Sequence, residues 1–574
     1  MDVQSNHGFG IDLGTTYSTV CQVKCKKTVG SKEEYTFEYV TFQNDRKAWP
    51  SLVAAPAKGK HYEFCDQAES KVKNVLSETK RLIGMSFDNP EIQRLIARRH
   101  FDWMTIVPDD HGKVMVEYDE GGVRVRKYPW EISAMVLTHL HDRIVEHCHI
   151  GASDPRRSTT IDAVISVPAY FTHFQRVDTI QAATRAGFNV VKVVNEPTAA
   201  ALVYGSESSA TAERLMVVDF GGGTLDVTVM DMKTADGDRT FQVISTHGDT
   251  FLGGVDFDRV IADIVLDKTR EYDGELYAKQ FDLSSATTER AQRRVRFNLA
   301  KLLRKAKDIK ETHLFAGKDA SFNTDEFLGL DDDGFDIDVA YSEFLERSRP
   351  LFDRCMACVE KALAMRNVPK SSVDRVILVG GSSLFAEVQR LLAAFFSPEV
   401  VFRDLNHQLA VANGAAILQD SLFVDPTRNV VQEVCPVSLG MKFYRLPSRE
   451  LYVDHLFKAS DPIPGERSIV AMTMDDNQEN FLDEVYQGDE DVPLSHNFII
   501  SYRVGNLPRR KQHEVAMKRT MKIDENGLVT VSCEMLCPEG VRLKGRAGCK
   551  FSLAGVEISN DQQQSFSISC EDFD

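Results

Sequence analysis

Residues 9–20, FGIDLGTTYSTV, and residues 216–230, MVVDFGGGTLDVTVM, follow a single pattern. Each stretch has an apolar run, one Asp, a turn made of Gly and Thr, and then a second apolar run. The pattern predicts a strand, a tight turn and a second strand, written twice, with Asp12 and Asp219 at equivalent places. Two matched hairpins of this kind favour a nucleotide held between two similar lobes.

The composition of the two turns explains why they should bind phosphate. Gly allows backbone N–H groups to converge on one point, and Thr hydroxyls add further donors. The predicted phosphate-binding residues are Gly14, Thr15, Thr16, Tyr17, Gly221, Gly222, Gly223 and Thr224. The Asp carboxylates would repel phosphate, so we expect them to hold a hydrated Mg²⁺ or to position a water. A pair of ordinary Asp–Gly hairpins is the alternative, which the matched duplication disfavours.

The predicted site differs from the common phosphate-binding loops. The sequence has no G-x-x-x-x-G-K-[ST] motif and no G-x-G-x-x-G that follows a strand and opens a helix. The phosphates should therefore lie between hairpins and not at a helix N-terminus.

Length and composition limit the classes of protein. The chain has 574 residues, of which 43% are hydrophobic and 27% charged, and its net charge is −17. This charge disfavours nonspecific binding to nucleic acid or to an anionic membrane. We expect no secretory signal and no membrane span, since no basic region precedes an apolar stretch and no apolar run reaches 18 residues. The odd count of 11 Cys favours reduced thiols in the cytoplasm, with the nucleus left open.

The pattern of apolar residues changes along the chain. Strand-like and helical runs alternate up to about residue 420, which is typical of α/β structure. Short alternating runs such as FIISYRV and LVTVSCEM follow, which predict antiparallel β structure. We therefore divide the chain into a two-lobed nucleotide-binding domain at 1–425, a linker at 426–436, a β domain at 437–558 and an acidic, disordered tail at 559–574.

Six motifs then carry a resemblance to a known family. They are GIDLGTTYSTV, VPAYFTHFQR, VVNEPTAAALVYG, VVDFGGGTLDVTV, GDTFLGGVDFD and VILVGGSS. In order and approximate spacing they resemble the 70-kDa heat-shock chaperone family over residues 8–420, and CPVSLGM, DPIPGER and MKIDENGLVTVS extend a weaker resemblance through 434–558. The resemblance implies a two-lobed actin-like ATPase fold followed by an antiparallel β-sandwich that binds peptide. Actin and the sugar kinases share the two loops but lack VPAYF and NEPTAAA together.

The resemblance implies roles for residues at matching positions. The two turns would bind the β- and γ-phosphates, one from each lobe. Four carboxylates would surround Mg²⁺, largely through water, and orient the attacking water beside Thr224: Asp12, Glu196, Asp219 and Asp226. Further nucleotide contacts would come from Gly253, Gly254, Gly380, Gly381 and Ser382. Pro168 and Arg176 match the family's relay between nucleotide state and the peptide domain.

The sequence departs from the family where a catalytic Lys is expected. The matching stretch is CDQAE at residues 65–69, so that Glu69 occupies the Lys position. Lys71, two residues on, would replace the cation if the loop shifts. Loss of such a cation removes a few kcal/mol of transition-state stabilisation. The sequence therefore predicts ATP binding that outlasts ATP hydrolysis.

Two further departures concern the adenosine pocket. Leu384 stands where the family has an adenine-stacking Arg, and it can pack against a purine without guanidinium stacking. The helix at 293–310 does not align with the family's adenosine clamp. Arg304 and Lys307 are its candidate members, and a solvated basic face is the alternative.

The C-terminal part also differs from the family pattern. The linker reads NVVQEV, with polar Gln432 and Glu433 where the family has leucines, so we expect weaker docking of the linker. No long amphipathic helix follows the β domain, which predicts that the helical lid is missing. The chain ends in EDFD and not in the family's Glu-Glu-Val-Asp, so helper proteins that read that tail are not expected.

Two functions remain open from the sequence. The first is an ATP-hydrolysing chaperone that binds unfolded or extended polypeptide segments, with a J-domain co-chaperone, a nucleotide-exchange factor, ATP or ADP, and Mg²⁺. The second is a lidless, hydrolytically weak nucleotide-binding subunit of a chaperone or ribosome-associated complex. Whether K⁺ accompanies Mg²⁺ is also open.

Overall fold

Two similar lobes, a connecting strand and a β domain follow one another along the chain. The computed structural model describes residues 8–29, 32–42, 45–97, 103–148, 160–235, 238–328, 334–402, 405–427, 429–445, 448–505, 507–536, 550–552 and 565–569. We call residues 8–207 the first lobe, residues 212–402 the second lobe, and the described residues from 435 onward the β domain. Among the described residues, no helix combines the length and apolar character that crossing a bilayer requires.

The first lobe mixes strands and helices. Its strands are β1 (Phe9–Leu13), β2 (Tyr17–Val29), β3 (Lys32–Tyr39), β4 (Ala48–Pro50), β5 (Val53–Ala54), β6 (Glu63–Phe64), β7 (Val75–Leu76), β8 (Thr105–Pro108), β9 (Val114–Glu120), β10 (Val123–Lys127), β11 (Ile161–Val167) and β12 (Phe188–Asn195). Its helices are α1 (Cys65–Glu69), α2 (Pro90–Ala97), α3 (Pro129–His147), α4 (His173–Arg185) and α5 (Glu196–Glu207). Pro197 lies in the first turn of α5, where its missing N–H costs nothing.

The second lobe has the same mixed character. Its strands are β13 (Ala212–Phe220), β14 (Leu225–Ala235), β15 (Asp238–Asp249), β16 (Ala320–Asn323), β17 (Asp336–Val339), β18 (Arg375–Val379) and β19 (Val401–Phe402). Its helices are α6 (Gly254–Tyr272), α7 (Gly274–Gln280), α8 (Glu289–Thr312), α9 (Asp325–Leu328), α10 (Tyr341–Ala364) and α11 (Ala386–Phe395), and α12 (Ala410–Val424) then returns to the first lobe.

The main sheets of the two lobes have the same strand order. The first runs β12-β11-β1-β2-β3, and the second runs β19-β18-β13-β14-β15 before it continues. In each sheet, three strands that are consecutive in sequence pair antiparallel, β1-β2-β3 or β13-β14-β15. Two later strands lie on the other side of β1 or β13 and run parallel to it. The predicted hairpins are present, with Asp12 opposite Thr19 and Asp219 opposite Asp226. Each lobe buries its own apolar core, and a third core lies where α5 and α12 pack together.

Small residues explain how α5 and α12 pack between the two sheets. The run NEPTAAALVYG supplies three consecutive alanines on α5, all of them buried. On α12, a Cβ added to Gly414 would lie 1.8 Å from the carbonyl oxygen of Ala199, so only Gly fits at that position. The short side chains therefore let the two helices approach backbone to backbone.

The linker is a strand of the second sheet. β20 (Val430–Val434) pairs in parallel with β15 and antiparallel with β23 (Pro462–Ile463) of the β domain. The polar residues that favoured weak docking make specific contacts instead. Gln432 donates to the carbonyl oxygen of Ile463 at 2.5 Å, and the half-buried Glu433 accepts a hydrogen bond from Thr198 at 2.7 Å.

The β domain is a sandwich of two sheets. Its other strands are β21 (Leu439–Arg445), β22 (Glu450–Phe457), β24 (Gly465–Met472), β25 (Phe481–Gln487), β26 (Phe498–Gly505), β27 (Ala516–Ile523), β28 (Val529–Leu536), β29 (Lys550–Ser552) and β30 (Ser565–Ser569). The sheet orders are β22-β21-β25-β26-β30 and β24-β27-β28-β29. This confirms the predicted α/β class with two actin-like lobes and a following β-sandwich.

Part of the predicted disordered tail is ordered. Residues 565–569 form β30, which pairs in parallel with β26. Residues 559–564 and 570–574 lie outside the described residues. The prediction was based on polar composition. A polar segment can still pair its backbone N–H and C=O groups with the edge strand of a sheet.

Candidate functional site

The two predicted turns meet in a cleft between the lobes, which we call the interlobe cleft. A Cβ added to Gly222 would lie 2.0 Å from Thr16 Oγ1, and one added to Gly223 would lie 2.6 Å from Thr15 Cγ2. The turns are therefore in contact, and neither Gly could carry a side chain without displacing the opposite turn. The predicted residues that line the cleft are Asp12, Gly14, Thr15, Thr16, Tyr17, Glu196, Asp219, Gly221, Gly222, Thr224, Gly254, Lys307, Gly380, Gly381, Ser382 and Leu384.

The second turn is held from two sides. Gly221 closes it by donating to the carbonyl oxygen of Thr224 at 3.0 Å. Gly254, the first residue of α6, donates to the carbonyl oxygen of Gly221 at 3.0 Å, and Ser382 Oγ donates to the same oxygen at 2.7 Å. Gly253 packs against Gly223, where an added Cβ would lie 2.4 Å away. The predicted glycines at 253 and 254 thus position the turn.

Four carboxylates share the floor of the cleft and its immediate surroundings. Asp12 accepts a hydrogen bond from Ser166 at 3.1 Å, and Asp226 accepts one from the backbone N–H of Tyr170 at 2.9 Å. Burial, reinforced by the charge of Glu196, raises the pKa of Asp12 to about 7 and that of Asp226 to about 7. The same two causes, burial first, raise the pKa of Asp219 well above its ordinary value. A bound cation would therefore stabilise the ionised form of these three Asp side chains.

The carboxylates suit a hydrated cation better than a directly ligated one. Among the described residues, no three His, Cys, Asp or Glu side chains converge closely enough to bind one metal ion directly. Mg²⁺ usually keeps several of its waters and takes only one or two carboxylates directly. Burial, and after it the charge of Glu196, raises the pKa of all three Asp side chains, so the cleft gathers negative charge, which fits a hydrated Mg²⁺.

Lys80 is the cleft cation that pairs with Glu196. Its Nζ donates to Glu196 Oε1 at 2.6 Å, and both side chains are more than nine-tenths buried. Lys71, which the sequence analysis offered as the cation, lies elsewhere: its exposed side chain pairs with Glu63 at 2.9 Å. Glu69 is also exposed and pairs with Arg46. Lys80 belongs to KRLIG, which the sequence analysis placed after the expected Lys, so the lysine beside Glu196 comes from a different stretch than the one that was predicted.

Three more basic residues lie along α8. Lys307 donates to the Tyr17 hydroxyl at 2.7 Å, and Lys310, which the sequence analysis missed, pairs with Asp258 at 2.8 Å. Lys310 is buried and lines the cleft. Arg304 lines a neighbouring pocket and not the cleft itself. The i, i+3 spacing of Lys307 and Lys310 places them on one helix face and is a signal that could have identified the second lysine.

Two ion pairs connect the first lobe to the second beside the cleft. Arg81, next to Lys80, contacts Asp256 of α6 at 3.1 Å, and Arg259 of α6 contacts Glu78 at 2.8 Å. Arg81 is buried, so this pair is screened little by solvent. The four charges join the first lobe to the second beside the nucleotide-binding turns.

The predicted relay residues lie between the cleft and the β domain. Pro168 directly follows β11. Arg176 of α4 is buried and donates to Asn195 Oδ1 at 2.8 Å and to the carbonyl oxygen of Asn526 at 3.3 Å. Asn526 lies between β27 and β28 and also accepts from the backbone N–H of Val193 at 3.0 Å. Arg176 therefore contacts both the first lobe and the β domain.

The pKa of Asp226 leads to a pH prediction for the metal-free protein. The folded-state pKa of about 7 exceeds the ordinary value of 3.8, so the native state binds the extra proton between these values. Stability from this group is therefore complete at about pH 4 and is lost as the pH rises through about 7. We expect the wild type to lose roughly 3–5 kcal/mol relative to Asp226→Asn over this interval. The free energy of unfolding of both proteins should be measured by chemical denaturation at pH 4 and at pH 8. The same difference between wild type and Asp226→Asn at both pH values would contradict the prediction.

Comparisons with known proteins agree with this geometry. A family model described as "Hsp70 protein" matches residues 8–541. The chain is 32% identical over 535 residues to a curated protein, "Heat shock 70 kDa protein 2" of Paracoccidioides lutzii (strain ATCC MYA-826 / Pb01). That match covers 91% of this chain and 74% of the other protein.

Proposed function

The chain belongs to the Hsp70 family, and we propose that it is a molecular chaperone that couples ATP binding and hydrolysis in the interlobe cleft to the binding of extended polypeptide segments by the β domain. The observation that carries the proposal is the buried Lys80 facing Glu196 and Asp12 between two matched glycine turns. Phosphoryl transfer depends mainly on positioning and charge neutralisation, and this arrangement supplies both.

The residues of the cleft would divide the chemistry between them. The backbone N–H groups of the two turns would bind the phosphates, and Lys80 would neutralise charge on the transferred group. Gly380, Gly381 and Leu384 would line the adenosine end of the cleft. Asp12, Glu196, Asp219 and Asp226 would hold a hydrated Mg²⁺, which neutralises phosphate charge when it is bound. Asp226 and Glu196 would accept hydrogen bonds from the attacking water and orient it.

The linker and Arg176 support coupling between the cleft and the β domain. Glu433 of the linker is half-buried near Arg176, and desolvation of its carboxylate raises the pKa of Glu433. β20 joins the second lobe's sheet to the β domain through hydrogen bonds to β15 and β23. A change in the closure of the lobes on nucleotide binding would therefore displace β20, the strand that connects the second lobe to the β domain.

Partners and location follow from the family. We propose a J-domain co-chaperone and a nucleotide-exchange factor as partners and the cytoplasm as the compartment, with the nucleus as an alternative. The acidic net charge of −17 disfavours nucleic acid and membranes as partners.

The alternative is a hydrolytically weak scaffold subunit, which the sequence favours because Glu69 stands at the family's Lys position. Glu69 pairs with Arg46 at the surface, and the chaperone proposal relies on Lys80 as the cation instead. A single-turnover assay with radiolabelled ATP, with and without a J-domain protein, separates the two functions. Phosphate release that the J-domain protein accelerates supports the chaperone cycle. Tight ATP binding without phosphate release under both conditions supports the scaffold.

The linker contact leads to a prediction about coupling. Glu433→Ala removes the acceptor for Thr198 of α5 and should loosen β20 from the first lobe, since leaving the buried Thr198 hydroxyl without a partner costs about 1–3 kcal/mol. We expect amide hydrogen exchange in residues 430–434 to accelerate about 5- to 100-fold and peptide stimulation of ATP turnover to fall. Val430→Ala is the matched control, because the Val430 side chain on the same strand is 48% exposed. Equal exchange rates in both variants would show that Glu433 does not hold the linker.

A further inference from the structure

The start of α4 is a point of direct contact between the first lobe and the β domain. Phe174 packs against the apolar core of the β-sandwich, and Arg176 donates to the carbonyl oxygen of Asn526. The neighbouring His173 makes a third contact: the backbone N–H of Val529, the first residue of β28, donates to His173 Nδ1 at 3.1 Å. The donor and the acceptor belong to different units, so this hydrogen bond exists only while the two units are docked.

The direction of this hydrogen bond fixes the protonation state of His173. A backbone N–H can only donate, so the Nδ1 atom must accept and carries no proton. The ring is therefore neutral in the docked arrangement, with its proton on Nε2. A proton on Nδ1 would turn the acceptor into a donor, and two N–H groups would then face each other across the contact.

The surroundings of the ring also disfavour a positive charge on it. His173 is half-buried, and Arg176 lies three residues further along the same helix with its guanidinium buried. Desolvation of the imidazole, reinforced by the charge of Arg176, lowers the pKa of His173 to about 4. The electrostatics and the hydrogen bond therefore favour the same neutral form.

The other charged groups around this contact are engaged with different partners. Asp524, in the turn between β27 and β28, accepts from two backbone N–H groups of that turn at 2.9 and 2.8 Å. The charge of Glu525 stabilises the ammonium of Lys192 on β12, and that of Glu433 on β20 stabilises the guanidinium on α4. Replacing His173 leaves all of these groups in place, so a variant at this position isolates the imidazole.

Docking and protonation of His173 must compete. The ordinary pKa of a His is 6.5, and the pKa in the docked arrangement is about 4. The contribution of this contact to docking is complete above about pH 6.5 and is lost as the pH falls from there toward 4. These two pKa values predict that the equilibrium constant for docking falls about tenfold between pH 7.5 and pH 5.5.

We propose that His173 is a proton-sensitive contact between the first lobe and the β domain, so that mild acidification shifts the protein toward the undocked arrangement. The charge changes on one imidazole, and the element with two states is the docked pair of units. The proposal adds pH control to the coupling between the units, and it rests on their docking and not on ATP turnover.

The test compares the wild type with His173→Asn in the full chain. Asn keeps an acceptor oxygen close to the position of Nδ1 and does not titrate. Amide hydrogen exchange of residues 526–531 is measured at pH 7.5 and pH 5.5, because this segment contains the Val529 N–H. The ratio of protection in the wild type to that in the variant cancels the intrinsic pH dependence of exchange, and we expect it to fall about tenfold. His61→Asn, at an exposed position of the first lobe, should behave like the wild type.

A second measurement follows the His173 imidazole itself by NMR titration of the wild type. A titration midpoint below 6.5 supports the proposal, and it does so even if the His173→Asn variant docks poorly. A midpoint of 6.5 or above would overturn it, as would the same pH dependence of exchange in the wild type and in His173→Asn. Neither measurement involves phosphate release, so the proposal can fail while the chaperone function stands.

Discussion

Replacing Lys80 by Met should lower the single-turnover rate of ATP hydrolysis by about 100- to 1,000-fold, the range found when one preorganised charge-stabilising donor is removed. The Lys80 ammonium is buried with Glu196 at 2.6 Å and is the cationic group that faces the carboxylates on the first-lobe side of the cleft. Met preserves the length and apolar stem of the side chain, so the change removes the charge and little else.

Lys71→Met is the matched control for this prediction. Lys71 is also a Lys of the first lobe, but it pairs with Glu63 on the surface and does not line the cleft. We expect its turnover to remain within about twofold of the wild type, because exposed ion pairs contribute little. Nucleotide affinity should be measured separately by calorimetry, since the loss of Lys80 also leaves Glu196 without its cation. A larger loss in the Lys71 variant than in the Lys80 variant would refute the assignment.

The second large effect concerns an ion pair inside the β-sandwich. Asp483 of β25 and Arg519 of β27 are 2% and 4% exposed, and they meet at 2.6 Å between the two sheets. The guanidinium of Arg519 also lies 5.2 Å from the ring centroids of Phe443 and Phe481. Burial raises the pKa of Asp483, which Arg519 opposes. Each charge therefore has the other as its opposite charge in this core.

Removing one partner should destabilise the β domain more than removing both. Arg519→Met leaves an uncompensated buried carboxylate and should cost about 3–5 kcal/mol, whereas the double variant Asp483→Leu with Arg519→Met should lie close to the wild type. Amide hydrogen exchange of β25 and β27 in the full chain measures this locally. The cycle of single and double variants gives the coupling energy. Additive losses in the double variant would show that the two charges do not depend on each other.

Local sequence determined the fold class and most of the site. The duplicated Asp–Gly–Thr hairpins predicted two matching sheets, because alternation of apolar runs around a glycine turn leaves few other structures. The same turns contain the residues that meet in the cleft, where Gly222 and Gly223 pack against Thr16 and Thr15. Helices such as α3 and α8 follow from apolar spacing within one segment. These features depend on neighbours in the chain, so the chain itself reveals them.

Tertiary structure alone decided the features that join distant segments. Lys80 reaches Glu196 across 116 residues of sequence, and no local pattern distinguishes it from Lys71. Polar Glu433 predicted a weakly docked linker, yet it is half-buried and accepts a hydrogen bond from Thr198 of α5. Asp483 of β25 and Arg519 of β27 meet only because the fold stacks the two sheets of the β domain. The physical reason is common to all three: a charged side chain is stable in the interior only beside a specific partner, and folding selects that partner from anywhere in the chain.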